Sequence, residues 1–507
     1  MSISRSETEA GEARGPSVGV FAWAGLFLSI FGARLMLISA FGVTVPWADE
    51  WDGEAVMFPK YVAGTLQLGD LLAPFNEHRI FTSRLLDLAT FELAGGWDRP
   101  LHMVVNAALW AGFATGFTAF LAKQLAPARA LVLVLFSALI FAVPLGFENA
   151  LMAMNAHFYF LVIFSVLALN ALATSTAFSS RWWLGCVWAT LAFLSMSSAL
   201  AVPAAILVVA LLQMAVGQRR RDWRELAGLA VLAASVALML YLTPTVPGSQ
   251  QLHPRNAFEL INALLALASA PLFSPVGWII VYGPLLLLAW RTIAGRLPMS
   301  AQAWTLIAIG GWVAAQIVAT SLARGLAFMP PRYFDVIFTA LPVCCAILLA
   351  LDGRRARRAT AAWMALIVAG QMSLAYLSAY KVMAGEARWG AVAAQHLRDY
   401  LRTNDPATLD VPTTELPYPS RERLLQLASD PAVRMILPAE FSTPEEQAEA
   451  RDHTLLKGRL APAVEAIKAF LLGVGPLVLG LGLIGFLLSL LALSGEFSSR
   501  RSGTSPP

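Results

Sequence analysis

The chain has 507 residues, 58% of them hydrophobic and only 13% charged, with a formal net charge of +4. Soluble domains carry about a quarter charged residues, so this composition excludes an ordinary soluble protein and points to lipid as the solvent. The small positive balance comes from short basic connections between apolar runs, so it does not argue for nucleic acid as a partner.

In chain order, residues 1–17 form a polar leader of mixed charge, expected as a cytoplasmic tail. The apolar run after it is too long for a signal-peptide core and is expected to remain as the first span. A span needs roughly twenty apolar residues to cross about 30 Å of hydrocarbon. By that rule spans are expected at 18–42, 101–122, 130–147, 157–174, 182–198, 200–217, 225–243, 276–291, 302–322, 333–351, 359–381 and 463–494, about twelve in all. The run near 258–274 is broken by Pro271 and Pro275 and reads as a re-entrant or interfacial helix. With that run not crossing, the basic connections at 218–225, 291–296, 352–358 and 499–501 share one side, the expected cytoplasmic side. Cys186, Cys344 and Cys345 fall inside apolar runs, so neither a structural disulfide nor a zinc site is expected.

The predicted architecture is therefore an all-α polytopic membrane protein. A multispan core at 18–381 carries a long first external loop at 43–99. A small mixed external domain at 382–462 precedes the last span, and 495–507 form a second cytoplasmic tail. Within 382–462, SRERLLQLASDPAVRMILP reads as an amphipathic helix, a turn at Asp430-Pro431 and a strand.

The loop at 43–99 is too long for a mere connector. Val56, Tyr61 and Val62 form one apolar face and Ile80, Leu85, Leu86 and Leu88 another, so juxtamembrane helices roofing the outer leaflet are expected. The loop opens with PWADEWDGE, which gathers Asp49, Glu50, Asp52 and Glu54 between Trp47 and Trp51. NEHRIFTSR then supplies His78, Arg79 and Arg84. Tryptophans mark membrane interfaces and acids solvate outer loops, and Glu54 reads as such a solvated helix position. Arginine, however, offers a planar fork for phosphate, and histidine can donate to a phosphate oxygen or move a proton. A carboxylate beside a phosphate clamp is what glycosyl transfer from a lipid phosphate requires, one group taking the acceptor proton and others holding the leaving charge.

The stretch PWADEWDGEAVMFPKYVAGTLQLGDLLAP resembles the opening of the GT-C membrane glycosyltransferases that use polyprenyl-phosphate sugars, among them the protein O-mannosyltransferases and lipid A aminoarabinose transferases. In those enzymes an acidic pair follows the first span and opens a long external loop with two juxtamembrane helices. The resemblance puts the catalytic carboxylate on Asp49 with Glu50 beside it, and implies inversion at the sugar carbon. It covers about 43–100, and the rest of the chain matches only as architecture. FNEHRIFTSRLL departs from the Pro-Pro-Leu type segment of those families and is similar to a group of bacterial membrane proteins of GT-C-like organisation.

PPRYFD at 330–335 resembles a late Arg-Tyr element of lipid-phosphate glycosyltransferases, which assigns Arg332 and Tyr333 to the donor phosphate with Asp52, His78 and Arg79; Arg324 is a second candidate. Glu148, Asn149, Asn155 and His157 in FENALMAMNAH either read sugar hydroxyls or cap a helix. Arg34 lies inside the first span, where it snorkels or meets a lipid phosphate. No cofactor is assigned, and a divalent ion on Glu50 and Asp52 is an option. The implied partners are a polyprenyl-phosphate sugar donor, a glycan, lipid or protein acceptor, and membrane lipids. The implied place is the bacterial inner membrane with the site on its periplasmic side. A flippase or transporter of lipid-linked sugars, or a non-catalytic envelope assembly protein, are the alternatives.

Overall fold

A computed structural model describes residues 19–502 apart from 247–248, 273, 326–329 and 377–379. The expected tail at 1–17 and residues 503–507 lie outside the described residues. Among the described residues every regular element is helical, and the one β-type pairing is an isolated bridge between Phe75 and His78.

Nine helices are long and apolar enough to cross a membrane. The first is α1 (Val20–Phe41), whose 22 residues span about 33 Å at 1.5 Å per residue. Three other expected spans form helices that miss this standard. Pro127–Ala142 and Ser180–Ser195 have 16 residues each, and Arg354–Leu374 begins with a run of arginines. The expected last span is two helices, Ala461–Gly473 and Gly475–Ser502. The run near 258–274 holds a helix of 13 residues, Ala257–Ser269, too short to cross.

Large apolar side chains point outward along several of these helices, for example Leu238 and Tyr241, and Leu477, Leu487 and Leu491. Soluble proteins rarely expose apolar patches of that extent, so these faces are suited to lipid and the chain reads as a helical membrane protein. Lipid tails are as apolar as leucine, so helices there associate through close packing. The tightest contact is between α1 and Gly475–Ser502. A Cβ on Gly25 would lie 2.9 Å from the Gly482 carbonyl oxygen, and one on Gly32 would run into the backbone of Leu479.

The polar segments form one layer over this bundle. The first contributes α2 (Glu54–Val62), α3 (Leu68–Leu72) and α4 (Phe81–Ala94), followed by the apolar α5 (Arg99–Ala122). The second runs from Tyr380–Thr403 through Arg421–Ala428, Pro431–Ile436 and Pro444–Asp452. Trp51, Phe58, Phe91 and Trp97 of the first segment share an apolar core with Leu397, Tyr400, Leu424 and Ile436 of the second. Tyr61 and Leu88 pack on the edge of that core, whereas Val56 and Leu85 are exposed.

The expected strand is absent among the described residues, so the second segment is helical and not mixed. Asp430 and Pro431 do not turn the chain out of a helix; they start one. Asp430 accepts a hydrogen bond from Ala432 N at 2.9 Å, and Pro431 sits at the first helical position, where its missing N–H costs nothing.

Candidate functional site

After α1 the chain reaches Pro46 and enters a tight turn over Ala48–Trp51. Two residues of that turn face inward. Trp51 is fully buried, and its indole N–H donates to Pro46 O at 2.8 Å. Glu50 is also fully buried. It accepts from Trp47 N at 2.9 Å, from Ala153 N at 3.0 Å and from Arg99 Nη2 at 3.0 Å, with Arg99 Nε on its other oxygen. Arg99 in turn donates to the carbonyl of Val43. Glu50 thus spends its lone pairs fixing the turn, which leaves no free lone pair to share in catalysis with Asp49.

Asp52 is engaged elsewhere. Its carboxylate accepts from Arg423 at 3.0 and 3.1 Å and from the Tyr418 hydroxyl, fastening the turn to the second polar segment. Glu50 and Asp52 therefore do not share a divalent ion, and Asp52 makes a protein contact in place of the expected phosphate contact.

Asp49 is left half-buried, with no side-chain hydrogen bond or ion pair among the described residues. Burial raises its pKa; Arg332 opposes that shift, while Asp52, Glu50 and Glu77 add to it. The mutual influence of Asp49, Glu77 and Arg332 brings PWADEWDGE, NEHR and PPRYFD into one electrostatic neighbourhood, although they are far apart in sequence.

The NEHR segment is a tight turn closed by Phe75 N donating to His78 O at 2.8 Å and His78 N donating to Phe75 O at 3.0 Å. Glu77, which the sequence reading passed over, pairs with Arg324 at 3.3 Å. Burial raises the Glu77 pKa, but Arg324 overcomes it and holds the carboxylate below its usual range. His78 has its Nδ1 buried without a partner. Burial pushes His78 down to about 4, with Arg324 and Arg332 also lowering it and Glu77 opposing, so it is a neutral imidazole near pH 7. The His157 ring lies 6.5 Å from it and its Nδ1 sits 3.1 Å from Met154 O.

Arg79 and Arg84 do not form the expected phosphate clamp. Arg84 donates to the carbonyls of Asp70, Leu71 and Ala73 at 3.0, 2.9 and 2.6 Å. Arg79 donates to Leu72 O at 2.7 Å and Leu242 O at 3.4 Å. Both supply donors to carbonyls that the end of α3 leaves unpaired. Arg324 and Arg332 are the cations next to the acids instead.

Arg332 pairs with Glu148 at 3.1 Å and its guanidinium lies 5.9 Å from the Tyr333 ring. Tyr333 is buried edge-on against Phe158, 5.5 Å between ring centres, and so serves as packing. Asn149 donates to Arg332 O at 2.8 Å and to Asp335 at 3.0 Å. Asn155 donates to Glu148 O at 3.3 Å. Arg34 does not snorkel. It is 1% exposed and meets Asp335 at 3.3 Å and the Tyr159 hydroxyl at 3.3 Å, beneath the site.

A cavity of about 190 Å³ adjoins Asp49's turn, lined by Trp47, Arg99, Glu148, Arg332 and Glu386 among others. Glu386 was not legible as a site residue, since it sits in an amphipathic helix full of charges. Burial, then Glu148, pushes its carboxyl to about 7. Glu148 is itself raised by burial against the opposing Arg332.

Glu54 is the clearest correction. It is 1% exposed and not solvated, and neither carboxylate oxygen has a hydrogen bond. It stands with Asp87 and His102, and this trio has metal-ligand spacing. Burial, followed by their neighbouring acids, drives Glu54 and Asp87 well above the usual carboxylate range.

Compared with known proteins, the chain matches no family model, no curated protein and no solved structure.

Proposed function

We propose that the protein transfers a glycosyl group from a polyprenyl-phosphate donor to an acceptor hydroxyl at the membrane surface, as a GT-C-like enzyme with Asp49 as its base. One observation carries this reading. Of the four acids in PWADEWDGE, Asp49 alone is partly open to solvent and free of hydrogen bonds and ion pairs, with Arg332 as its opposing charge.

In this reaction Asp49 accepts the acceptor hydroxyl's proton as the new C–O bond forms at the sugar carbon. The bond from that carbon to the phosphate oxygen breaks, and the phosphate leaves with the electron pair. Arg332 and Arg324 are each held by a single carboxylate, Glu148 and Glu77, and keep donors for that phosphate. Neutral His78 donates a hydrogen bond to it without adding charge. The site opens on the periplasmic side of a bacterial inner membrane in this reading. The sugar is displaced from the face opposite the phosphate, so inversion follows.

The test is transfer of radiolabelled sugar from polyprenyl-phosphate donors in membranes holding wild type or Asp49→Asn. Loss of transfer with normal amounts of protein supports the assignment, and unchanged turnover removes it. Transport of a lipid-linked sugar is the second reading, favoured by the buried Arg34–Asp335 pair among the apolar helices. Uptake without transfer in proteoliposomes selects it.

A further inference from the structure

Three polar side chains from three helices converge behind the Asp49 turn. Glu54 begins α2, Asp87 lies on α4 and His102 on α5, with relative exposures of 1%, 1% and 4%. One ligand-type atom from each lies within 4.8 Å of the other two. Both Glu54 oxygens, Asp87 Oδ1 and His102 Nε2 are buried without any hydrogen bond.

Buried polar groups are nearly always satisfied, and each exception calls for a cause. The protein's own cations do not supply one. Arg84 is occupied by the backbone carbonyls after α3, Arg99 by Glu50 and Val43, and no Lys or Arg pairs with Glu54 or Asp87 among the described residues. His102 Nδ1 lies 3.3 Å from Asp87 Oδ1, yet that oxygen accepts no hydrogen bond. Two ligands of one tetrahedral ion at about 2.0–2.1 Å are separated by roughly that same distance.

Charge decides the class of ligand. Two carboxylates and a neutral imidazole carry a charge of about −2, which a dication cancels in a place where a net charge is costly. A set of one nitrogen and carboxylate oxygens suits first-row transition ions better than calcium, which takes oxygen alone. The open positions have donors nearby. Ser83 is one turn before Asp87 and Asn106 one turn after His102, and Ser83 Oγ and Asn106 Oδ1 are likewise buried and unsatisfied.

We propose that Glu54, Asp87 and His102 bind one divalent first-row transition-metal ion, of the zinc or manganese kind, as a structural site. The ion ties α2, α4 and α5 together. Glu54 follows the Asp49 turn after a few residues, so occupancy sets where that turn sits. The inference rests on these residues alone and stands whether or not the protein transfers a sugar.

The test uses the full chain purified in detergent. Metal content is measured by mass spectrometry, then the protein is stripped with a chelator and titrated with Zn²⁺ or Mn²⁺. The expected result is about one ion per chain, recovered after stripping, with a melting temperature that falls on removal and returns on reloading. Glu54→Gln, Asp87→Asn and His102→Gln, checked for monodispersity, should each lower bound metal about tenfold or more, while Asp52→Asn keeps it. Wild type that arrives without metal and takes up neither ion overturns the proposal even if every variant misfolds. Metal retained equally in all three folded variants overturns it too.

Discussion

Glu50 and Arg99 form an ion pair in which both side chains are 0% exposed, and that pair holds the turn on which Asp49 stands. Removing one partner of such a pair leaves an uncompensated buried charge, at a cost of about 3–5 kcal/mol. Arg99→Met should therefore destabilise the protein by about that much. Pairing it with Glu50→Gln should recover part of the loss, because the second change removes the orphaned charge. Thermal unfolding in detergent reads both, and additive losses in the double variant would contradict the pairing.

Asp49 and Asp52 are three residues apart and should behave oppositely. Asp52 is an interdomain contact whose partner Arg423 is partly exposed, 36% against 38% for Asp52, so solvent screens it. Asp52→Asn is expected to cost less than about 1 kcal/mol and to leave transfer within a few-fold of wild type. Asp49→Asn should leave stability unchanged or slightly improved and abolish transfer. Equal activity losses in the two variants would make the motif a structural unit with no single base.

The pH profile carries a further prediction through Arg332. Burial raises the Asp49 pKa and Arg332 opposes that. A base works only when ionised, so activity should fall, as pH falls, through a value above the usual carboxylate range. Removing the opposing cation with Arg332→Met should move this acid limb to still higher pH, separately from any loss of donor affinity. Ionising Asp49 costs the folded protein more than the unfolded chain, so this group alone lowers stability above its native pKa and the penalty fades as pH falls through it. Rate profiles of the two proteins with the same acid limb would detach Arg332 from Asp49.

What the sequence made legible was whatever depends on neighbours in sequence. Runs of twenty apolar residues have few alternatives to a helix in lipid, and the acids of PWADEWDGE were visible as a local cluster. What each acid does depends on partners far along the chain, and there the reading failed. Glu50 meets Arg99 across 49 residues, Asp52 meets Arg423 across 371, and Arg34 meets Asp335 across 301. Glu54 read as solvated because its helix is short and amphipathic, and nothing local tells which face is covered. Glu77 was overlooked beside His78 and Arg79, yet it is the acid that holds Arg324. Asp430-Pro431 was a local signal with two meanings, turn or helix start, and the helix start prevailed because Asp430 caps the N–H that follows the proline.

The packing of α1 against Gly475–Ser502 gives the last prediction. A side chain at Gly32 has no room, because the Leu479 backbone occupies the space, whereas a Cβ on Gly112 meets nothing within 4 Å. Gly32→Val should therefore force the two helices apart and cost about 1–3 kcal/mol by overpacking. Gly112→Ala, in the middle of α5, should be neutral or gain up to about 1 kcal/mol from helix propensity. Because helices in lipid have little hydrophobic drive to associate, the loss at Gly32 should also loosen the terminal helix. Faster proteolysis between 452 and 475 in Gly32→Val, but not in Gly112→Ala, would show it. Matching melting temperatures for the two variants would mean that the close approach of these helices contributes little to stability.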